Sequence, residues 1–141
     1  MPTKKWIWRC DRVIPSDTGL GRRILDELVE QMKARQWSTH DIYSVRLAVE
    51  EALVNAIMHG NRCDADKCVQ IRCRLAAELV RIEIIDEGGG FDLGKVPNPT
   101  NPDRIECPCG RGVMLIRAFM TRVKYNMAGN GLVMVKERAS T

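Results

Sequence analysis

Residues 41–61, DIYSVRLAVEEALVNAIMHGN, constrain the fold of this chain more than any other stretch. Val45, Ala48, Val49, Ala52, Ala56 and Ile57 recur every three or four positions and lay an apolar stripe along one long helix. Ser38-x-x-Asp41 is compatible with a capping box at its start, and Gly60 is a natural stop. A helix that only packs leaves the border of its stripe plain. This one carries Glu51 and Asn55 there, about 40° apart on the wheel and one turn from each other. Glu50 lies about 140° from Asn55 and is expected to face solvent. A carboxylate and a carboxamide thus point together at the edge of a core. The helix alone does not separate this from an ordinary surface Glu beside a surface Asn.

The segments around the helix supply a sheet and a second helix. Residues 4–13 alternate loosely around Trp6 and Trp8, and Pro15 closes them as an edge strand. Ser16 or Asp17 caps a helix over 20–35, with Ile24, Leu25, Leu28, Val29 and Met32 as its buried stripe. In 67–76, Val69, Ile71, Cys73 and Leu75 alternate with Gln70, Arg72 and Arg74; in 79–86, Val80, Ile82 and Ile84 alternate with Arg81 and Glu83. With Ala77-Glu78 between them, the two runs predict a hairpin with one buried face. A short helix is expected over 113–120, and a closing hairpin from 122–127 and 132–138 around Ala128-Gly129-Asn130-Gly131.

Four of the six prolines fall in the sixteen residues 94–109. That density argues against a helix or a central strand. A loop of this length inside a compact domain is usually a lid or a binding loop. With no repeat and no linker, residues 1–141 read as a single domain with a lid over about 91–109.

Composition excludes several classes. The 45% hydrophobic and 28% charged residues are a globular balance. No apolar run approaches a membrane span, and two N-terminal lysines without an apolar stretch behind them do not make a signal peptide. The expectation is a cytoplasmic protein with no membrane partner. The net charge of +4, from 22 basic and 18 acidic residues, is spread along the chain rather than gathered in a stripe. Direct nucleic-acid binding is therefore not expected. The six cysteines lack paired C-x-x-C clusters, so they read as reduced structural or loop thiols. A zinc site and a regulatory pair at Cys107 and Cys109 are the lesser alternatives.

Three features carry chemistry. Glu51 and Asn55 share the helix border. Asp86-x-Gly88-x-Gly90 places an acid at a strand end ahead of glycines. Gly110-Arg111-Gly112 stands at a helix start. Glycines let the backbone approach a ligand, and amides at a helix N-terminus favour phosphate. An Asn oxygen suits Mg²⁺, which takes few protein ligands besides phosphate and water. A strand-end acid accepts from an exocyclic amine such as adenine carries. Each motif is weak alone, but their order and spacing describe an ATP–Mg²⁺ site under a lid. No G-x-x-x-x-G-K-S/T is present, so this is not a P-loop.

At these residues the chain resembles a known superfamily. Glu51-Ala52-Leu53-Val54-Asn55-Ala56 with His59-Gly60 is similar to the N box of the GHKL (histidine-kinase-like) ATPases. Asp86-Glu87-Gly88-Gly89-Gly90-Phe91 resembles their G1 box, and Gly110-Arg111-Gly112-Val113-Met114-Leu115-Ile116 their G2 box. The E-A-x-x-N-A-x-x-H-G form and the small size are most similar to the RsbW-type anti-sigma-factor serine/threonine kinases. The resemblance runs from about Trp6 to Glu137. It implies an α+β, two-layer sandwich, the Bergerat fold, with a mixed and mostly antiparallel sheet covered by helices on one face.

The resemblance also implies roles. Asn55 would coordinate Mg²⁺, and Asp86 would bind the adenine amine. Gly88 and Gly90 would line the pocket, while Gly110, Arg111 and Gly112 would hold phosphates. Glu51 would be the general base on the incoming hydroxyl, a role that suits phosphoryl transfer. One departure is Gly131-Leu132, where family members often carry Thr near the base. The implied function is an ATP-dependent kinase that phosphorylates a small STAS-type anti-sigma-factor antagonist and sequesters a sigma factor. The alternative is a non-catalytic, ATP-gated binding switch. No phospho-acceptor histidine domain fits beside this domain, which counts against a sensor histidine kinase. The exposed first helix and the Trp-bearing edge strand offer surfaces for a homodimer.

Overall fold

The period-two runs form strands with one dry and one wet face. The computed structural model describes residues 5–88, 108–126 and 128–139, with the backbone course alone over 108–113. The chain begins with β1 (Trp8–Pro15) and α1 (Thr18–Ala34), followed by α2 (Thr39–Val54), which continues as a π-helical turn, Asn55–Gly60. Then come β2 (Cys68–Leu75), β3 (Leu79–Ile85), α3 (Pro108–Phe119), β4 (Arg122–Tyr125) and β5 (Gly131–Glu137).

The strands form one sheet in the order β1-β2-β3-β5-β4. All of its described pairings are antiparallel, the sense expected to predominate. Register lines up Ile71 with Ile84, and Ile82 with Met134, so their side chains share one face. That face also carries Cys10, Ile14, Val69, Leu75 and Val80, all buried. The α1 stripe Ile24, Leu25, Leu28, Val29 and Met32 packs into the same core, with Val45, Ala48 and Val49 of α2 and Ile116 of α3. The opposite face is mixed, with Val13, Ile85, Val133 and Val135 among charged residues. There Arg74 pairs with Asp11 at 2.8 Å and Arg72 with Glu83 at 3.3 Å. The result is the two-layer architecture the resemblance implies, with helices on one side of the sheet.

The helix ends follow local chemistry. Asp17 caps α1 by accepting from the amides of Gly19 and Leu20 at 2.8 and 3.3 Å. Ser38 Oγ accepts from the Asp41 amide at 3.0 Å, which is half of the expected capping box. The other half is absent because Asp41, 2% exposed, is engaged elsewhere. Its carboxylate accepts from the Ala139 amide at 2.9 Å and lies 4.0 Å from Lys136 Nζ. The helix after the proline-rich stretch starts at Pro108, earlier than the expected 113. Proline has no amide to lose in a first helical turn, so the density of prolines does not bar a helix beginning on one. The lid expected over about 91–109 otherwise falls outside the described residues.

Arg138 fastens the end of β5 to the corner between α1 and α2. Its guanidinium donates to the carbonyls of Arg35 and Gln36, both at 2.9 Å, and to that of Ala77 at 3.2 Å. It also lies 5.2 Å from the centre of the Trp37 ring. Charged donors on helix-end carbonyls and an aromatic face each stabilise the corner. Arg138→Ala is expected to lower the unfolding free energy by about 2 kcal/mol. Urea denaturation checks this: the midpoint falls while the slope stays constant.

The thiols divide by burial. Cys10 and Cys73 face each other across β1 and β2 on the core side and are free. Burial pushes the Cys73 thiol up to about 12, so it stays protonated at neutral pH. Cys63 is free and exposed. The side chains of Cys107 and Cys109 lie outside the described residues.

Candidate functional site

The apolar stripe of α2 does not stop where the α-helix widens. Ala56 and Ile57 in the π-helical turn remain buried. The Asn61 amide donates back to the Ala56 carbonyl at 2.8 Å, five residues away. π turns of this kind are frequent at functional sites. Here the turn begins at Asn55 and ends at Gly60. It forms one wall of a cleft with Ala52, Asn55, Ala56, His59 and Gly60. The facing wall is Ile84 and Asp86 at the end of β3, with Tyr125 of β4 and Gly129, Asn130, Gly131 and Leu132 around the final hairpin. The Ala, Ile and Leu side chains make an apolar slot that ends in a carboxylate.

That carboxylate belongs to Asp86, 8% exposed. Its Oδ1 accepts from the Gly88 amide at 2.7 Å. Burial pushes its pKa above the ordinary range, against the opposing pull of the Gly88 amide and the Lys67 charge. Two glycines make its position sterically possible. A Cβ at Gly60 would overlap the Asp86 carboxylate, and one at Gly88 would overlap the Gly60 carbonyl. The π turn and the β3 turn therefore meet with no room for a side chain.

The structure gathers part of the expected set. Asn55 and Asp86 line the cleft together, and Gly88 adjoins Asp86. Glu51 is half-buried one turn before Asn55, outside the lining residues. Glu50, expected at the solvent, is half-buried as well. Gly110, Arg111 and Gly112 are the third to fifth residues of α3, inside the helix rather than ahead of it. Gly90 lies outside the described residues. Among the described residues no three His, Cys, Asp or Glu side chains converge as a metal cage.

Tyr125 and Asn130 line the cleft without having been singled out from sequence. Tyr125 reads as one more alternating strand residue, and Asn130 as turn filler. Gly131-Leu132, the departure from the family pattern, both line the cleft, with Leu132 6% exposed on its apolar side. Asn61, fully buried at the end of the π turn, donates to the Cys68 carbonyl at 3.0 Å and to Ser16 Oγ at 3.1 Å. Its own oxygen accepts from the Glu87 amide at 2.8 Å. An Asn directly after the helix-stopping Gly60 was the available signal.

Known proteins are similar to this chain in sequence and in fold. The family model described as a histidine kinase-like ATPase domain matches residues 14–136. A protein of Oceanobacillus iheyensis named serine-protein kinase RsbW is 29% identical over 129 residues, covering 87% of this chain and 80% of that one. An anti-sigma F factor of Clostridium beijerinckii is 31% identical over 102 residues, covering 70% of this chain and 71% of that one. A crystal structure of the RsbU and RsbW domains of a Mycobacterium tuberculosis protein superposes with a TM-score of 0.60 at 17% identity, over 93% of this chain. This chain spans 32% of the length of that solved chain, and the likeness concerns the fold.

Proposed function

The chain belongs to the histidine kinase-like ATPase family, on its RsbW and anti-sigma F factor side, and from that premise we propose that it is an ATP-dependent serine/threonine protein kinase and anti-sigma factor. Its acceptor is a small STAS-type antagonist protein, and its second partner is a sigma factor that it sequesters. We take residues 1–141 as one domain, with a lid over about 91–109. No described helix is long and apolar enough to cross a membrane; we place the protein in the cytoplasm.

The observation that carries the reading is the buried Asp86 carboxylate at the end of an apolar slot, with glycines packed against it and Asn55 on the facing wall. In this reading Ala52, Ala56, Ile84 and Leu132 enclose a planar base, and Asp86 accepts from its exocyclic amine. The Asn55 oxygen reaches the cation, and Gly88 and Gly90 give the nucleotide backbone clearance. Gly110, Arg111 and Gly112 would hold phosphate oxygens, Gly110 through an amide near the helix start and Arg111 through its guanidinium. Bound Mg²⁺-ATP supplies the transferable phosphoryl group and neutralises part of its charge. Glu51 takes the proton of the acceptor hydroxyl as that oxygen bonds to phosphorus and the bond to the ADP oxygen breaks.

An ATP-gated switch without catalysis is the second reading. It is favoured by one fact, that Glu51 is not among the residues lining the cleft. The test is purified protein with γ-labelled ATP, Mg²⁺ and a STAS-type antagonist. Label is expected on a serine or threonine of the antagonist. Nucleotide binding without transfer would favour the switch. Absence of nucleotide binding would overturn both.

A further inference from the structure

A base-reading carboxylate has to stand at a fixed height and angle, because a hydrogen bond weakens steeply when its geometry drifts. The backbone around Asp86 is held for this by two asparagines from different parts of the fold. The peptide unit joining Asp86 to Glu87 is gripped at both of its ends. Its carbonyl oxygen, on Asp86, accepts from Asn130 Nδ2 at 2.8 Å. Its amide, on Glu87, donates to Asn61 Oδ1 at 2.8 Å. Fixing one peptide plane at its oxygen and at its hydrogen sets the torsion that follows the Asp86 Cα. That torsion helps to fix where the Asp86 side chain leaves the backbone.

Each asparagine is itself braced. Asn61 is 0% exposed and spends its two amide hydrogens on Ser16 Oγ and the Cys68 carbonyl. Ser16 Oγ in turn donates to the Lys67 carbonyl at 2.9 Å. Asn61 thereby joins the end of β1, the start of β2 and the turn after β3. Its orientation is forced: the Glu87 amide needs an acceptor and the Cys68 carbonyl needs a donor. On the other side, the Asp86 amide donates to the Asn130 carbonyl at 2.8 Å. Asn126 Nδ2 donates to Asn130 Oδ1 at 2.9 Å, and Asn126 Oδ1 accepts from the Asn130 amide at 3.1 Å. Only a side chain with both a donor and an acceptor on a short stem can do what Asn61 does here.

We propose that Asn61 and Asn130 are positioning residues for base selection, clamping the Asp86–Glu87 peptide so that the carboxylate meets an adenine amine and repels a guanine oxygen. The proposal rests on the nucleotide reading given above. A merely structural role would lower stability and leave base preference in the folded protein unchanged.

The experiment uses the full chain with Asn61→Ala and Asn130→Ala. Calorimetry reads Mg-ADP and Mg-GDP affinities well below each variant's unfolding midpoint. Each variant is expected to lose roughly tenfold in Mg-ADP affinity with Mg-GDP affinity nearly constant, so that the ratio narrows. Asn130 is half-buried in a turn, and its backbone carbonyl bond to the Asp86 amide survives truncation. It carries the test if Asn61→Ala does not fold. A folded Asn130→Ala protein with the wild-type ADP-to-GDP ratio overturns the clamp. Wild-type protein that binds neither nucleotide removes the underlying reading, and the clamp with it.

Discussion

Glu51→Gln is expected to keep Mg-ATP affinity and to lose phosphoryl transfer by roughly 10²–10⁴-fold, the usual contribution of a positioned acid–base group. The reason is spatial. Glu51 sits one turn before Asn55 and outside the cleft lining, so its replacement is expected to leave the base and sugar contacts intact. The substitution keeps the shape of the half-buried side chain and removes its charge. Single-turnover transfer to the antagonist measures the first effect, and calorimetry with Mg-ATP measures the second. Parallel losses in both would assign Glu51 to nucleotide binding. Full retention of transfer would leave the chain without a base at this position.

Asp86→Asn is expected to weaken adenine nucleotides by roughly 10–100-fold, the worth of a hydrogen bond to a charged group. Guanine nucleotides are expected to hold or gain, because a carboxamide N–H can face the guanine oxygen that a carboxylate repels. Folding should survive, since an amide oxygen can still accept from Gly88. The pH dependence has a defined sign. Burial raises the Asp86 pKa, and the amine donates to the ionised form. Adenine affinity is therefore full above that raised value and falls as the pH drops through it, whereas Asp86→Asn is flat there. Stability runs the other way. A folded pKa above the unfolded one means that this group favours the folded state increasingly as the pH falls, and disfavours it once ionised. Calorimetric titrations with Mg-ADP and Mg-GDP across the acid range decide the matter. An unchanged base preference in Asp86→Asn would remove Asp86 from recognition.

The elements were legible where a period exists. Ile24, Leu25, Leu28, Val29 and Met32 form a stripe because a helix repeats every 3.6 residues, and all five are buried. Val69, Ile71, Cys73 and Leu75 alternate because a strand repeats every two, and all four are buried. Asn55 and Asp86 stood out because their residue types are unusual where they stand, and both line the cleft. The contacts that hold the site have no period. Asn61 meets the Glu87 amide across 26 positions, and Asn130 meets the Asp86 carbonyl across 44. Asp41 answers Ala139 across 98 positions instead of closing its own cap. The π turn was illegible for another reason: the residues that wind five apart are the ones that would wind four apart. Helix α3 begins at Pro108 because proline restricts a helix interior and not its first turn.

The wider winding at Asn55–Gly60 acts as an angular offset between two halves of one rod. An ordinary helix advances about 100° per residue, so one residue more or less in that loop of backbone would swivel everything beyond it by a comparable angle. His59 and Gly60 would leave the slot, and Asn61 would turn its oxygen away from Glu87. The aim of the Asp86 carboxylate is thus tuned by how tightly a neighbouring helix is coiled.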